Sequence, residues 1–180
     1  TLQVHVINSP FLLNAFANLT HYTDILFLSR NAVEIAMPMI QSQGGLPESV
    51  RVMAVGSETA KQLYGFDIKA LFPNVGNGVE ALLNVAQLAD LSGRKILVVR
   101  GEHGLDWPAE EMRRRGANVD QAFAYRQSLP EASQSELLSC MAQNTDLAGV
   151  FAHSVQSLEN LMSISSDSRG RILLATLVAG

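Results

Sequence analysis

The chain has 180 residues, 47% of them hydrophobic and 17% charged, with a net charge of −4. That length holds one domain or two small ones, and the acidic balance argues against a nucleic-acid binder, which would show a basic face. The longest apolar runs, ILFL and ILVV, are too short to span a bilayer, and the opening residues TLQVHVINSPF lack a basic region followed by an apolar core.

Taken in chain order, LQVHVIN (2–8) alternates apolar and polar residues and reads as an exposed or edge strand. DILFLS (24–29), VRVMAVG (50–56) and KILVVRG (95–101) are continuous apolar runs, the pattern of strands buried on both faces of a parallel sheet. Helical patterns follow each: NAVEIAMPMIQSQGG closes on Gly44-Gly45, SETAKQLYG on Gly65, and DWPAEEMRRRG opens near Pro108 and closes on Gly116, the expected asymmetry. A further helix, GNGVEALLNVAQLADLSG, separates the second and third runs. VDQAFAYRQ (119–127) alternates again and reads as an exposed or edge strand, and the polar stretch SLPEASQSE after it marks a boundary. Beyond it, LAGVFAHS (147–154) and RILLATL (171–177) read as strands, with the helix SVQSLENLMS between them. The single cysteine, Cys140, excludes an internal disulfide framework, suits a reducing compartment, and in the helical pattern ELLSCMAQ reads as a buried, inert thiol.

Strand and helix in alternation define an α/β protein. One nearly complete α/β domain is expected over residues 9–118. The alternating strands, 1–8 and 119–128, would link it to part of a second α/β domain over 129–180. The chain starts at Thr1 without a methionine and stops after RILLATLVAG, a strand followed by nothing. We therefore expect that part of the second domain lies outside this sequence.

In open parallel sheets, ligands bind beyond the carboxyl ends of the strands. Those ends carry LSRNA, VGSETA, VRGEHG and FAHSV, each placing small or polar residues where a loop enters a helix. Free amides and the helix dipole make such a junction an anion site, each contact contributing about 0.3–1 kcal/mol. Several weak cradles suit a ligand with many carboxylates or phosphates. The same residues also serve as ordinary helix caps, so Ser29, Ser57, Thr59 and Ser154 have a purely structural reading too. Glu102, His103 and Asp106 form no credible metal set, His5, His21 and His153 stand alone, and Trp107 beside Pro108 reads as a packing residue. GNGVEA follows no buried strand and lacks a dinucleotide fingerprint, which disfavours a nicotinamide or flavin oxidoreductase.

Three segments, in order, resemble the uroporphyrinogen-III synthase family: LFLSRNAVEIA, VMAVGSETAKQLYGF and GRKILVVRGEHGLDWPAEEMRRRGANVDQAFAYR. The fold this implies is two parallel-sheet α/β domains of the Rossmann or flavodoxin type joined by a two-stranded linker, the second incomplete here. The activity it implies is cyclisation of hydroxymethylbilane, a polycarboxylate linear tetrapyrrole, with loss of water and inversion of the last ring through a spiro intermediate. No cofactor and no metal are implied. Hydroxymethylbilane synthase is the implied transient donor of the substrate. No nucleic-acid or membrane partner is expected, and a cytoplasmic monomer is.

Carried over by resemblance, Tyr125 is the catalytic residue, a phenol that can donate its proton to the leaving hydroxyl. Ser29, Arg30, Asn31, Ala32, Gly56, Ser57, Thr59, Arg100 and Gly101 are the implied substrate-contacting positions. Many relatives have Thr-Ser where this chain has Ala152-His153-Ser154, so either Ser154, displaced by one residue, or His153 takes that place. A non-catalytic two-lobed module that binds an anionic small molecule remains the competing reading at this point.

Overall fold

The apolar runs assemble into a five-stranded sheet in the order β1-β5-β4-β2-β3. The strands are β1 (Gln3–Val6), β2 (Asp24–Phe27), β3 (Arg51–Ala54), β4 (Lys95–Gly101) and β5 (Asn118–Ser128). The computed structural model describes residues 3–76, 78–104, 106–128, 135, 139, 143, 149–152 and 176–179. The chain divides into two compact units, Val4–Gln127 and a second made of Thr1–Gln3 with Ser128–Gly180. In the second unit, β6 (Gly149–Ala152) pairs in parallel with β7 (Thr176–Ala179). Cys140 and the predicted helix SVQSLENLMS lie outside the described residues.

β2 pairs in parallel with both β3 and β4, and β4 in parallel with β5. Among the described residues, five helices cover the sheet: α1 (Pro10–Ala17), α2 (Arg30–Ser42), α3 (Ser57–Tyr64), α4 (Gly78–Leu83) and α5 (Trp107–Arg114). The continuous apolar runs supply both faces, as two separate cores show. Ile25, Phe27, Leu97 and Val99 pack under α1, α2 and α3, which bring Leu12, Phe16, Val33, Met37, Ile40 and Leu63. Leu26, Met53, Ile96 and Val98 pack under α4 and α5, which bring Leu82, Leu83, Ala109 and Met112. Each such fully buried side chain contributes about 1.5–3 kcal/mol.

Local chemistry sets the element ends. The Ser9 hydroxyl accepts from Leu12 N with Pro10 in the first turn, and the Ser29 hydroxyl accepts from Ala32 N at the start of α2. Gly116 ends α5 with a positive φ of 93°. Its amide donates to Arg113 O and that of Ala117 to Met112 O, which satisfies carbonyls of the last turn. The triple arginine at this helix end is also put to use. Arg114 and Arg115 pair with Glu111, Arg113 donates to Val119 O, and Arg115 donates to the carbonyls of Leu83 and Leu88.

Asp24 opens β2 with a fully buried carboxylate. Arg94 grips it with two hydrogen bonds of 2.7 and 2.9 Å, and Arg51 and the Thr23 hydroxyl complete its shell. This ties the starts of β2, β3 and β4 together, at the end of β2 opposite Ser29.

The reading of 119–127 as an exposed or edge strand is corrected. β5 lies between β1 and β4, and β1 is the edge. The polar residues that made β5 look solvated are engaged by neighbours: Asp120 accepts from the Tyr22 hydroxyl at 2.9 Å, and Gln121 from Arg100 at 3.0 Å.

Candidate functional site

The strand order locates the site. From β2 the chain moves to β3 on one side, then crosses back so that β4 lies on the other side of β2. In an open α/β sheet the crevice forms where the direction reverses, beyond the carboxyl ends of the two strands. Here those ends are Leu28-Ser29 and Arg100-Gly101, joined by Leu28 N donating to Val99 O at 3.1 Å.

A cavity of about 370 Å³ opens at this point. Leu28, Ser29, Arg100, Gly101 and Tyr125 form its base from the strand ends. Val79 of α4 closes one side, and His103, Gly104, Trp107 and Pro108, from the loop after β4 and the start of α5, close the other. Most of the lining is apolar, with the two hydroxyls, the guanidinium and the imidazole as its polar groups.

Four features shape the base. The Tyr125 ring is 8% exposed, and its hydroxyl lies 2.9 Å from Ser29 Oγ. Gly101 lies under that ring: a Cβ there would fall 2.8 Å from Cε2 and Cζ of Tyr125. The register between β4 and β5 slips between Arg100 and Gly101, so that Gly101 pairs with Tyr125 and Glu102 N donates to Tyr125 O at 2.8 Å. Arg100 is buried at 4% exposure. Its Nε donates to Gly101 O at 3.1 Å, and its Nη1 donates to Asp106 Oδ1 and Gln121 Oε1, both at 3.0 Å. Its guanidinium also stands 5.6 Å from the Phe123 ring centre. These contacts fix the turn that carries Gly101, His103 and Gly104.

Of the residues singled out from sequence, Ser29, Arg100, Gly101 and Tyr125 meet at this cavity. Ala32 contributes its amide, through Ser29, while its methyl is buried in the core. Arg30 is exposed and Asn31 half-buried in the first turn of α2, outside the cavity lining. Gly56, Ser57 and Thr59 lie at the neighbouring strand end, held there by Val55 N donating to Phe27 O at 3.1 Å. Gly56, not Ser57, occupies the cap position of α3, and no side chain caps that helix. Thr59 is 4% exposed, and Ser57 faces a separate surface hollow with Lys61 and Tyr64. His153 and Ser154 lie outside the described residues.

Trp107, read from sequence as a packing residue, is 44% exposed and forms part of the cavity wall. Val79 and His103 join it there. The signal for Trp107 was its place one turn beyond a strand end, immediately before the helix proline.

An open parallel α/β sheet with a shaped cavity at its switch point defines a small-molecule-binding α/β protein. The family model for uroporphyrinogen-III synthase HemD matches residues 4–179, and the chain belongs to that family. Among its relatives, the uroporphyrinogen-III synthase of Salmonella typhimurium is 33% identical over 121 residues, covering 65% of this chain and 48% of that protein. That of Proteus mirabilis is 28% identical over 143 residues, covering 78% of this chain and 71% of that protein. The chain thus spans about half the length of the Salmonella relative. Among solved structures, a mutant uroporphyrinogen III synthase from the extremely thermophilic bacterium Thermus thermophilus superposes with a TM-score of 0.68 at 16% identity, covering 99% of this chain and 71% of that one. The Helicobacter pylori enzyme does so with a TM-score of 0.62 at 15% identity, covering 91% and 69%. At these identities the likeness is one of fold. Among the described residues, no helix is long and apolar enough to cross a membrane.

Proposed function

We propose that this chain belongs to an enzyme that cyclises hydroxymethylbilane to uroporphyrinogen III, with Tyr125 as its proton donor. Family membership supports the reading. The observation that carries it is the Tyr125 hydroxyl at the base of the switch-point cavity, 2.9 Å from Ser29.

On this reading Tyr125 gives its proton to the terminal hydroxyl of the substrate as the carbon–oxygen bond breaks. Water leaves, and the electron pair of the adjacent pyrrole nitrogen forms the azafulvenium ion. The substituted carbon of the last ring attacks that carbon and gives the spiro intermediate. The spiro carbon then breaks its bond to its original methylene bridge, and the ring's unsubstituted α carbon attacks that bridge, which joins the ring in the inverted sense. The proton lost when the ring regains aromaticity balances the one that Tyr125 supplied, so the net change is loss of one water. The protein's task is to fold the chain of pyrroles, hold it and donate one proton, and positioning of this kind supplies several kcal/mol of a barrier.

The apolar walls, with Trp107 and Val79, suit pyrrole faces. The N-terminus of α3, which no side chain caps, suits a carboxylate, with Gly56, Ser57 and Thr59 around it. Ser29, Arg30, Asn31, Arg100 and Gly101 are proposed to shape or contact the bound substrate, as are His153 and Ser154. Hand-over from hydroxymethylbilane synthase to a cytoplasmic monomer belongs to the same reading.

The test is to generate hydroxymethylbilane in situ, add the intact protein, and separate the oxidised uroporphyrin isomers. Isomer III supports the reading. Isomer I alone, the product of spontaneous closure, overturns it in favour of a non-catalytic binding module.

A further inference from the structure

The phenol of Tyr125 does not stand alone. Ser29 Oγ accepts a hydrogen bond of 3.1 Å from Ala32 N in the first turn of α2, and it lies 2.9 Å from the Tyr125 hydroxyl. Either oxygen can donate across this pair, because the serine oxygen keeps a second lone pair after accepting from Ala32 N. A phenol that receives the serine proton keeps its own proton free to point into the cavity. A phenol that donates to Ser29 instead has none left for a substrate.

We propose that Ser29 is a positioning residue that relays the N-terminal field of α2 to Tyr125, in the order Ala32 N–H, Ser29 Oγ–H, Tyr125 Oη–H, substrate. It rests on the functional reading above and assigns Ser29 a role through Tyr125 rather than in binding substrate carboxylates. Two features of the site support it. The helix amide occupies one lone pair of the serine oxygen and holds that oxygen in place before substrate arrives. The phenol ring packs close against Gly101, where no Cβ intrudes, and its strand is pinned by Glu102 N donating to Tyr125 O. When Tyr125 gives up its proton, negative charge appears on an oxygen that already faces a hydrogen-bond donor backed by a helix N-terminus. Donors in a chain polarise one another, and a preorganised donor aimed at developing charge acts mainly on the transition state. The electrostatic sense is right as well, because a helix N-terminus favours negative charge.

The test uses the intact protein with tyrosine labelled at ¹³Cζ. The chain has three tyrosines, and Tyr125→Phe identifies the Tyr125 resonance by its loss. Ser29→Gly removes the hydroxyl while keeping a residue tolerated at helix caps, and Ser29→Thr restores the hydroxyl. The Tyr125 Cζ resonance is expected to move in Ser29→Gly and to return in Ser29→Thr. Turnover to isomer III is expected to fall about ten- to a hundredfold in kcat for Ser29→Gly, with KM changed less than about twofold, and to recover in Ser29→Thr. A Cζ resonance that stays put in a folded Ser29→Gly protein overturns the hydrogen bond. A resonance that moves while kcat stays at the wild-type value overturns the relay. A loss confined to KM places Ser29 in substrate binding and also overturns it. A wild-type protein that makes only isomer I overturns the proposed function, and the relay's catalytic role with it. That result is distinct from a failed relay, in which the wild type is active and Ser29→Gly matches it.

Discussion

Gly101 and Tyr125 share one space: any Cβ on Gly101 would sit 2.8 Å from two carbons of the phenol ring. The glycine at this strand end is therefore required by a side chain on the next strand. Gly101→Ala forces the ring away from Ser29. The expected result is a stability loss of about 1–3 kcal/mol, the cost of overpacking, with a fall in isomer III turnover larger than that loss explains. Thermal melting and turnover on the same sample check it. Full turnover in Gly101→Ala would mean that the phenol position is not critical.

Tyr125→Phe removes the hydroxyl and leaves the ring over Gly101. Turnover is expected to fall about 10²–10⁴-fold, the usual contribution of a general acid, while the melting temperature stays within a few degrees. Unchanged turnover in this variant would take Tyr125 out of the mechanism.

Trp107 tests the wall of the cavity. It is nearly half exposed, so Trp107→Ala is expected to cost only about 1 kcal/mol of stability, well below the loss for a buried tryptophan. On the proposed function, KM is expected to rise several-fold while kcat changes less, because the indole lines the cavity wall and not its base. A fall in kcat at constant KM contradicts that assignment.

Asp24 sets the acid limit of the fold. Burial pushes its carboxyl upward, but the hydrogen bonds from Arg94, Thr23 and Arg51 and the Arg51 charge outweigh this and hold it below the usual range. The unfolded chain then binds the proton more readily. The contribution is fully present above about pH 4 and is lost as pH falls through the depressed folded value. Asp24→Asn is expected to cost about 3 kcal/mol at pH 7, the lower end for breaking a buried pair, because both guanidinium partners are about a third exposed. Urea midpoints measured from pH 7 down to pH 3 should fall less steeply for the variant. Parallel curves would show that the carboxylate is not the controlling group.

Gly116 combines two constraints. Its φ of 93° disfavours any side chain, and a Cβ would meet Ser92 at 2.8 Å from Oγ and 3.0 Å from Cα. Gly116→Ala is expected to destabilise by about 2–4 kcal/mol. Its turnover below the melting transition should match the wild type, since Gly116 lies outside the cavity lining. A melting temperature like that of the wild type would show that the Ser92 turn yields freely.

Much of this was readable from residue order because the two faces of a parallel sheet leave an unambiguous mark. KILVVRG became β4 over the same residues, 95–101, since every position from Ile96 to Gly101 is buried. β2 and β3 ended earlier than their apolar runs, at Phe27 and Ala54, because Ser29 and Gly56 become the cap residues of the helices that follow, while Leu28 N and Val55 N still bond across to Val99 O and Phe27 O. The run RILLATL at 171–177 gave way to a strand at Thr176–Ala179, with 171–175 outside the described residues. α1 had no assigned pattern, although Ser9-Pro10 was a start signal; FLLNAFA is too uniformly apolar to show a face.

The cavity lining was half legible. Ser29, Arg100, Gly101 and Tyr125, singled out by strand-end position and resemblance, lie in it. Trp107 and Val79 were not, because nothing in residue order says that β4 docks against β2 with β3 on the far side. The role of Gly101 was likewise invisible without the β4–β5 register.

Ser29 and Tyr125 stand 96 residues apart in the chain, and β2 meets β4 across a detour through β3, α3 and α4. Closing a loop of that length carries a large entropy cost before any contact rewards it, so such pairings form late in folding. On a ribosome, a nascent chain holding β2, α2 and β3 has Leu28 and Ser29 of the cavity base, neither wall and no phenol. The phenol thus joins the cavity only when the last strand of the sheet docks, and on the proposed function a partly folded chain has no proton donor to begin the reaction.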